Sequence, residues 1–125
     1  MEQYMLAFQR WKENMRNNEE LMNELLSIEK DPSQIEERFY KYLEFGTGGM
    51  RGVIGAGTNR MNIFTIRKAT QGLANYLNKA LPHEEKKVVI AYDSRYKSRE
   101  FALEAALVLA NNGITAYIFA QITPT

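Results

Sequence analysis

The chain has 125 residues, enough for one domain, and a chain of this length typically buries about two-thirds of its unfolded surface. Hydrophobic residues make up 45% and charged residues 25%, which argues against disorder, and a formal net charge of +1 offers no bulk attraction for nucleic acid or acidic membrane. The absence of cysteine removes disulfides, thiolate metal ligands and cysteine nucleophiles, and it fits a reducing cytoplasm.

Met1-Glu2-Gln3-Tyr4 opens on an acid and leads into an amphipathic stretch, so it is not expected to be a signal peptide. Residues 2–43 read as helices. Tyr4, Phe8, Trp11 and Met15 recur at helical spacing, which points to core packing and not to base stacking. Asn17 and Glu20 have the spacing of a capping box, followed by an apolar stripe of Leu21, Met22, Leu25, Leu26 and Ile28. Asp31-Pro32 restarts a helix: Asp31 suits the cap, Pro32 the first helical position, and Gln34 the far side of the box. Ile35, Phe39 and Tyr42 would form its buried face.

Residues 46–57 break the helical pattern, because six of the eight glycines fall within these twelve positions. They read as a loop with a short strand over Met50 to Ile54. Thr65 is placed to cap the next helix, with Ile66, Ala69, Thr70, Leu73, Ala74 and Leu77 facing inward. Pro82 to Lys86 forms a polar connection. Lys87 to Tyr92 reads as a buried strand, Ser98 opens a helix with Glu100 in its first turn, and Asn112-Gly113 ends it. Phe101, Ala105, Val108 and Leu109 make its inner face. Ile114 to Ala120 reads as a second buried strand. Strand, helix and strand in this order make a βαβ unit and hence a parallel sheet. The longest apolar stretch, Ala105 to Ala110, is too short to span a bilayer.

Three constellations could carry chemistry. In Phe45-Gly46-Thr47-Gly48-Gly49-Met50-Arg51-Gly52, the glycines let backbone N–H groups approach an anion. Thr47 adds a hydroxyl, and Arg51 a guanidinium fork suited to phosphate. The same residues also suit a plain glycine-rich turn, and both readings stand at this point. The segment lacks the Gly-Lys-Ser/Thr of a P-loop and the glycine spacing of a dinucleotide fingerprint. The second is Asn59-Arg60-Met61-Asn62, then Thr65-Ile66-Arg67-Lys68, where cations in the first turn oppose a helix dipole and a nearby anion or carboxylate would relieve the conflict; solvated charge or a structural salt bridge is the plainer account. Asp93-Ser94-Arg95 follows the first strand, where ligands often bind, though a structural tie between Asp93 and Arg95 explains it as well. His83, the only histidine, sits in a polar loop and reads as a surface residue. None of the four serines, Ser27, Ser33, Ser94 and Ser98, has a nucleophile setting.

The segment Phe45 to Gly52 resembles the N-terminal signature of the α-D-phosphohexomutases, commonly Gly-Thr-Ser-Gly-x-Arg. The resemblance continues through Asn62, Thr65-Ile66-Arg67, Ala69 to Ala74, Ala91 to Arg95, Ser98 and Ile122 to Thr125. It is strongest to the phosphoglucomutase/phosphomannomutase branch, and most like its bacterial glucomutase members. Gly48 stands where the common pattern has serine, which removes one hydroxyl contact and leaves backbone contacts available. The resemblance implies an α/β fold: an N-terminal helical extension over 1–43, then over 44–125 an incomplete α/β/α domain I with a mixed, mostly parallel sheet.

For function, the resemblance implies the N-terminal part of an intramolecular phosphotransferase interconverting hexose 1-phosphate and hexose 6-phosphate, glucose ahead of mannose. A phosphoserine beyond Thr125 would donate the phosphoryl group, with hexose 1,6-bisphosphate as intermediate and Mg²⁺ bound by residues outside this chain. Arg51 would stabilise the phosphoryl group in transfer, and Thr47, Gly48 and Gly49 would line the same corner. Arg95 reads mainly as scaffold. The isolated chain is then expected to be inactive, cytoplasmic, without nucleic-acid or membrane partners, and able to self-associate through exposed surface. The alternative is a free-standing phosphate-binding or protein-interaction module without catalysis.

Overall fold

The computed structural model describes residues 2–43, 53–92 and 97–120. The chain divides into two compact units, residues 1–65 and 66–125. The first unit is built on three short helices, α1 (Gln3–Asn14), α2 (Glu19–Ser27) and α3 (Pro32–Phe39). Their apolar positions converge on one core of Phe8, Met15, Leu21, Leu25, Ile28, Ile35, Phe39 and Ala56. Leu25 and Ile35 are fully buried, each contributing roughly 1.5–3 kcal/mol relative to exposure. Trp11 meets the rings of Phe39 at 5.7 Å and Phe64 at 6.0 Å edge-on, the geometry that ring quadrupoles favour, so its helical spacing serves packing.

The local signals at these helix ends are close to expectation but not identical. The cap of α2 is Asn18, whose side chain accepts from the Leu21 N–H at 3.1 Å, one residue later than the expected Asn17. Asp31 caps α3 through the Gln34 N–H at 3.3 Å, with Pro32 in the first turn. The reciprocal half of that box is not made. Gln34 Oε1 accepts from Arg38 Nε, and the Asp31 N–H donates to the Ile28 carbonyl. Leu26 and Tyr42 are exposed, contrary to expectation. Leu26 falls on the far side of the short α2, and Tyr42 lies beyond the C-cap of α3 at Tyr40.

Helix α4 (Ile63–Ala80) begins two residues before the expected Thr65 cap, and the division between the units falls within its first turn. Arg67 and Lys68 therefore sit in its second turn, where the dipole conflict is weaker. Arg67 pairs with Glu104, so of the two plainer accounts, solvated charge or a salt bridge, the structure shows the second for it.

The second unit carries α4 from Ile66, then β1 (Lys87–Tyr92), α5 (Ser98–Asn111) and β2 (Thr115–Ala120). The strands pair in parallel, Lys87 against Thr115 through Tyr92 against Ala120, which is the expected βαβ unit. Ala74, Leu109 and Ile114 are buried together, with Leu77, Val88, Ile90 and Ala116 packed on them. Both helices thus cover the same sheet face. Asn112 joins them at the end of α5: its amide exchanges two hydrogen bonds with Gln71, each 2.9 Å. Gly113, at φ 75°, lets the chain turn back into β2.

The strands are not buried on both faces, as the apolar runs had suggested. Side chains alternate along β1, and Val89, Tyr117 and Phe119 on the other face are half to two-thirds exposed. An alternating strand packs only the side that meets a helix, and among the described residues helices meet one side. Of the expected strand over Met50 to Ile54, residues 50–52 lie outside the described residues; Ile54 forms an isolated parallel bridge with Met61.

Candidate functional site

Thr47, Gly48, Gly49 and Arg51, the residues singled out for phosphate contact, lie outside the described residues, as do Asp93 to Tyr96 and 121–125. The structure describes the frame on both sides of 44–52. That frame is the turn over residues 53–62, and its centre, Gly55 to Thr58, is buried.

Two ion pairs draw the turn onto the helices. Arg38 Nη1 donates to Glu24 Oε1 at 2.6 Å and to the Ala56 carbonyl at 3.2 Å, so one guanidinium joins α2, α3 and the turn. Arg60, only 8% exposed, makes a two-pronged pair with Glu37, through Nη1 to Oε1 at 3.0 Å and Nη2 to Oε2. Burying a guanidinium is tolerable only with such pairing. The close approach also requires glycine. At Gly57 φ is 131°, and a Cβ there would lie 2.7 Å from the Arg38 carbonyl oxygen.

Buried hydroxyl and amide groups complete the frame. Thr58 Oγ1 donates to the Lys41 carbonyl at 2.7 Å, and the Asn59 N–H to the Arg38 carbonyl at 2.9 Å. Asn62, 4% exposed, works in two directions. Its Nδ2 donates to the Gly55 and Gly57 carbonyls at 2.8 and 3.0 Å. Its Oδ1 accepts from the Phe64 and Thr65 N–H groups at 3.1 and 3.0 Å, which makes Asn62 the cap of α4. Thr65 is the reciprocal partner: its Oγ1 accepts from the Asn62 N–H at 3.0 Å and donates to the Arg60 carbonyl at 2.7 Å. The Asn-x-x-Thr spacing and the stronger cap preference of asparagine were the available signal for this role.

Both flanks of 44–52 end on this turn. The Leu43 N–H donates to the Thr58 carbonyl at 2.8 Å, and the Val53 carbonyl accepts from the Met61 N–H at 2.8 Å. In the second unit, the parallel register sets Tyr92 beside Ala120. His83 is exposed, as expected for a surface role. An open groove of about 560 Å³ runs between α4 and α5 past Arg67, Glu104 and Leu107. Among the described residues no cluster of three or more His, Asp or Glu side chains is placed to hold a metal ion. The resemblance places the ligands of the expected Mg²⁺ outside this chain. No described helix is long and apolar enough to cross a membrane.

The Arg60 hydrogen bonds hold the Glu37 carboxyl below the usual carboxylate range; desolvation opposes this, and the smaller effects of the Arg60 and Arg38 charges reinforce it. A lowered folded pKa contributes stability that is fully present above the unfolded carboxylate pKa and is lost as pH falls through the folded value. Glu37 is half exposed, so the contribution after solvent screening is on the order of 1 kcal/mol or less. Urea unfolding of the chain and of Glu37→Gln is expected to show a gap at neutral pH that closes as acidification carries the Glu37 carboxylate through its lowered folded pKa. A gap independent of pH would show that the Arg60 pair does not set this titration.

A buried turn bonded to both residues that border the glycine-rich segment, followed by a parallel βαβ unit, defines an α/β domain. The chain belongs to the phosphoglucomutase/phosphomannomutase family: residues 42–125 match its alpha/beta/alpha domain I. It is similar to the phosphoglucomutase of Staphylococcus saprophyticus, 44% identical over 86% of this chain and 19% of that protein. It is also similar to the phosphoglucomutase of Staphylococcus aureus, 44% identical over 82% of this chain and 18% of that protein. Human phosphopentomutase is 35% identical over 100% of this chain and 21% of that protein. The chain thus spans about a fifth of the length of the curated relatives it matches. No solved structure matches it significantly.

Proposed function

We propose that this chain is the N-terminal part of a phosphohexomutase that interconverts hexose 1-phosphate and hexose 6-phosphate, with glucose as the leading substrate and mannose behind it. The match of residues 42–125 to domain I carries this reading, and the relatives named phosphoglucomutase support it. The proposed division is an N-terminal helical extension over 1–43 and a partial domain I over 44–125. Thr47, Gly48, Gly49 and Arg51 would contact the transferring phosphoryl group. A serine beyond this chain would carry that group and pass it to the free hydroxyl of the hexose monophosphate. The resulting hexose 1,6-bisphosphate would reorient and return its other phosphoryl group to the serine. Arg51 would stabilise charge on the equatorial oxygens during each transfer. Mg²⁺ held elsewhere in the longer protein would supply further charge neutralisation. The proposed compartment is the cytoplasm.

A second reading, a phosphopentomutase, is favoured by one observation: the match to the human enzyme extends over the whole chain, including the helices before residue 42. Coupled assays with glucose 1-phosphate, mannose 1-phosphate and a pentose 1-phosphate separate the readings. A protein extended through the remaining four-fifths of the relatives' length is expected to turn over glucose 1-phosphate fastest, and the 125-residue chain none of them. Preference for the pentose would favour the second reading. Turnover by the 125-residue chain would overturn the fragment reading. Saturable sugar-phosphate binding without turnover by the extended protein would support a binding module.

A further inference from the structure

We infer that Asn112-Gly113 is a spontaneous deamidation site held unreactive by Gln71, so that modification follows detachment of the α5 end from α4. The inference is independent of the mutase reading and rests on described residues of the second unit alone. Asn112 is the only asparagine in the sequence followed by glycine. Glycine lacks the Cβ that would shield its own nitrogen and leaves the backbone free to rotate, so this dipeptide closes a ring more readily than other asparagine steps. In the reaction the Gly113 nitrogen attacks Asn112 Cγ. A C–N bond forms, the Cγ–Nδ2 bond breaks, and the Gly113 amide proton leaves with Nδ2 as ammonia. Water then opens the resulting succinimide at either carbonyl, giving aspartate or isoaspartate at position 112.

The folded arrangement opposes each part of that step. Asn112 Nδ2, the leaving group, donates to Gln71 Oε1 at 2.9 Å and to the Val108 carbonyl at 2.8 Å, while Oδ1 accepts from Gln71 Nε2 at 2.9 Å. The attacking nitrogen is occupied too, since the Gly113 N–H donates to the Ala110 carbonyl at 3.1 Å. With Asn112 ψ at 15°, that nitrogen is turned away from the side chain it must reach. Val108 and Ala110 belong to the last turn of α5, and helix ends open easily. Among the described residues, Gln71 is the side chain that grips the Asn112 amide from outside α5. Its Nε2 also donates to Asn75 Oδ1 at 2.8 Å, and Asn78 Nδ2 donates to the Asn112 carbonyl at 3.2 Å, so the end of α5 is tied to α4. Modification is one-way. A carboxylate at position 112 turns a donor into an acceptor facing Gln71 Oε1 and the Val108 carbonyl. Isoaspartate lengthens the backbone by one carbon just before the buried Ile114.

The test incubates the 125-residue chain in neutral buffer and follows Asn112 by peptide mass spectrometry, with enzymatic methylation to count isoaspartate. The folded chain is expected to convert about 100-fold more slowly than the same chain unfolded in guanidinium chloride. Gln71→Ala should convert about 10-fold faster than the parent while still folded. Glu104→Gln weakens the Arg67 pair between the same two helices, away from Asn112, and should change the rate less than about two-fold. Chain converted at Asn112 should unfold at lower urea concentration than the parent. Equal rates for Gln71→Ala and the parent would overturn the inference. Equal acceleration by Gln71→Ala and Glu104→Gln would overturn it too, by assigning the effect to general loosening of the helices. A chain that converts as fast folded as unfolded has no lock. An unfolded chain that converts at Asn112 no faster than at its other asparagines has no site. If Gln71→Ala does not fold, Asn78→Ala, which loses the 3.2 Å bond to the Asn112 carbonyl, is read by the same criteria with about a three-fold acceleration expected.

Discussion

Replacing Arg51 with alanine in the extended protein is expected to lower kcat about 10²–10³-fold, with little change in unfolding temperature. The magnitude is that of removing one preorganised charged donor from a transition state in which charge spreads over the equatorial phosphoryl oxygens. Arginine offers a planar fork of donors that meets two oxygens at once, whereas lysine offers a single point charge. Arg51→Lys should therefore fall between the parent and Arg51→Ala. Pre-steady-state phosphoryl transfer, read beside equilibrium binding of glucose 1-phosphate, separates a transition-state role from simple substrate binding. A loss confined to KM would move Arg51 from transfer to binding. A change below about three-fold in both parameters would remove it from the site.

The second large effect is structural. Gly57→Ala is expected to destabilise the first unit by about 2–4 kcal/mol, the sum of backbone strain at positive φ and a steric clash. At φ 131° an L side chain is strained before any neighbour is considered. The added Cβ would then meet the Arg38 carbonyl oxygen at 2.7 Å and Arg38 Cβ at 2.9 Å, and neither belongs to the movable end of a side chain. The same carbonyl accepts the Asn59 N–H, so relief by backbone movement would break that bond. Gly72→Ala is the matched control, because a Cβ there meets nothing within 4 Å. It should be neutral or slightly stabilising, since alanine suits a helix interior better than glycine by about 1 kcal/mol. Urea midpoints of the two variants that coincide would show that the approach of the turn to α3 does not depend on Gly57.

Short-range features were the most readable in the sequence. The Asp31-Pro32 start of α3, the Gly113 exit from α5 and the parallel βαβ unit were all visible, because each is decided within a few residues by hydrogen bonding, φ preference or apolar period. Errors of one to three residues arose where two candidate caps compete. Asn17 and Asn18 carry the same side chain, and only the helix register shows that Asn18 reaches the Leu21 N–H. Asn62 and Thr65 both suit a helix start, and the structure uses both in reciprocal roles. The candidate phosphate contacts came from the glycine spacing and Arg51, and Asn59 to Asn62 were singled out for charge, with no sign of the hydrogen bonds by which they close a buried turn.

The order of helices and strands, the parallel pairing and the family signature were thus set by the sequence alone, since local backbone preference and hydrophobic period act between near neighbours. Tertiary structure alone decided the Glu24–Arg38 and Glu37–Arg60 pairs, which join residues 14 and 23 positions apart. It also decided the burial of Thr58 and Asn62 and the bare face bearing Val89, Tyr117 and Phe119. Those features depend on which surfaces meet once helices pack, and a charge or hydroxyl carries no mark of its distant partner until the chain between them has folded.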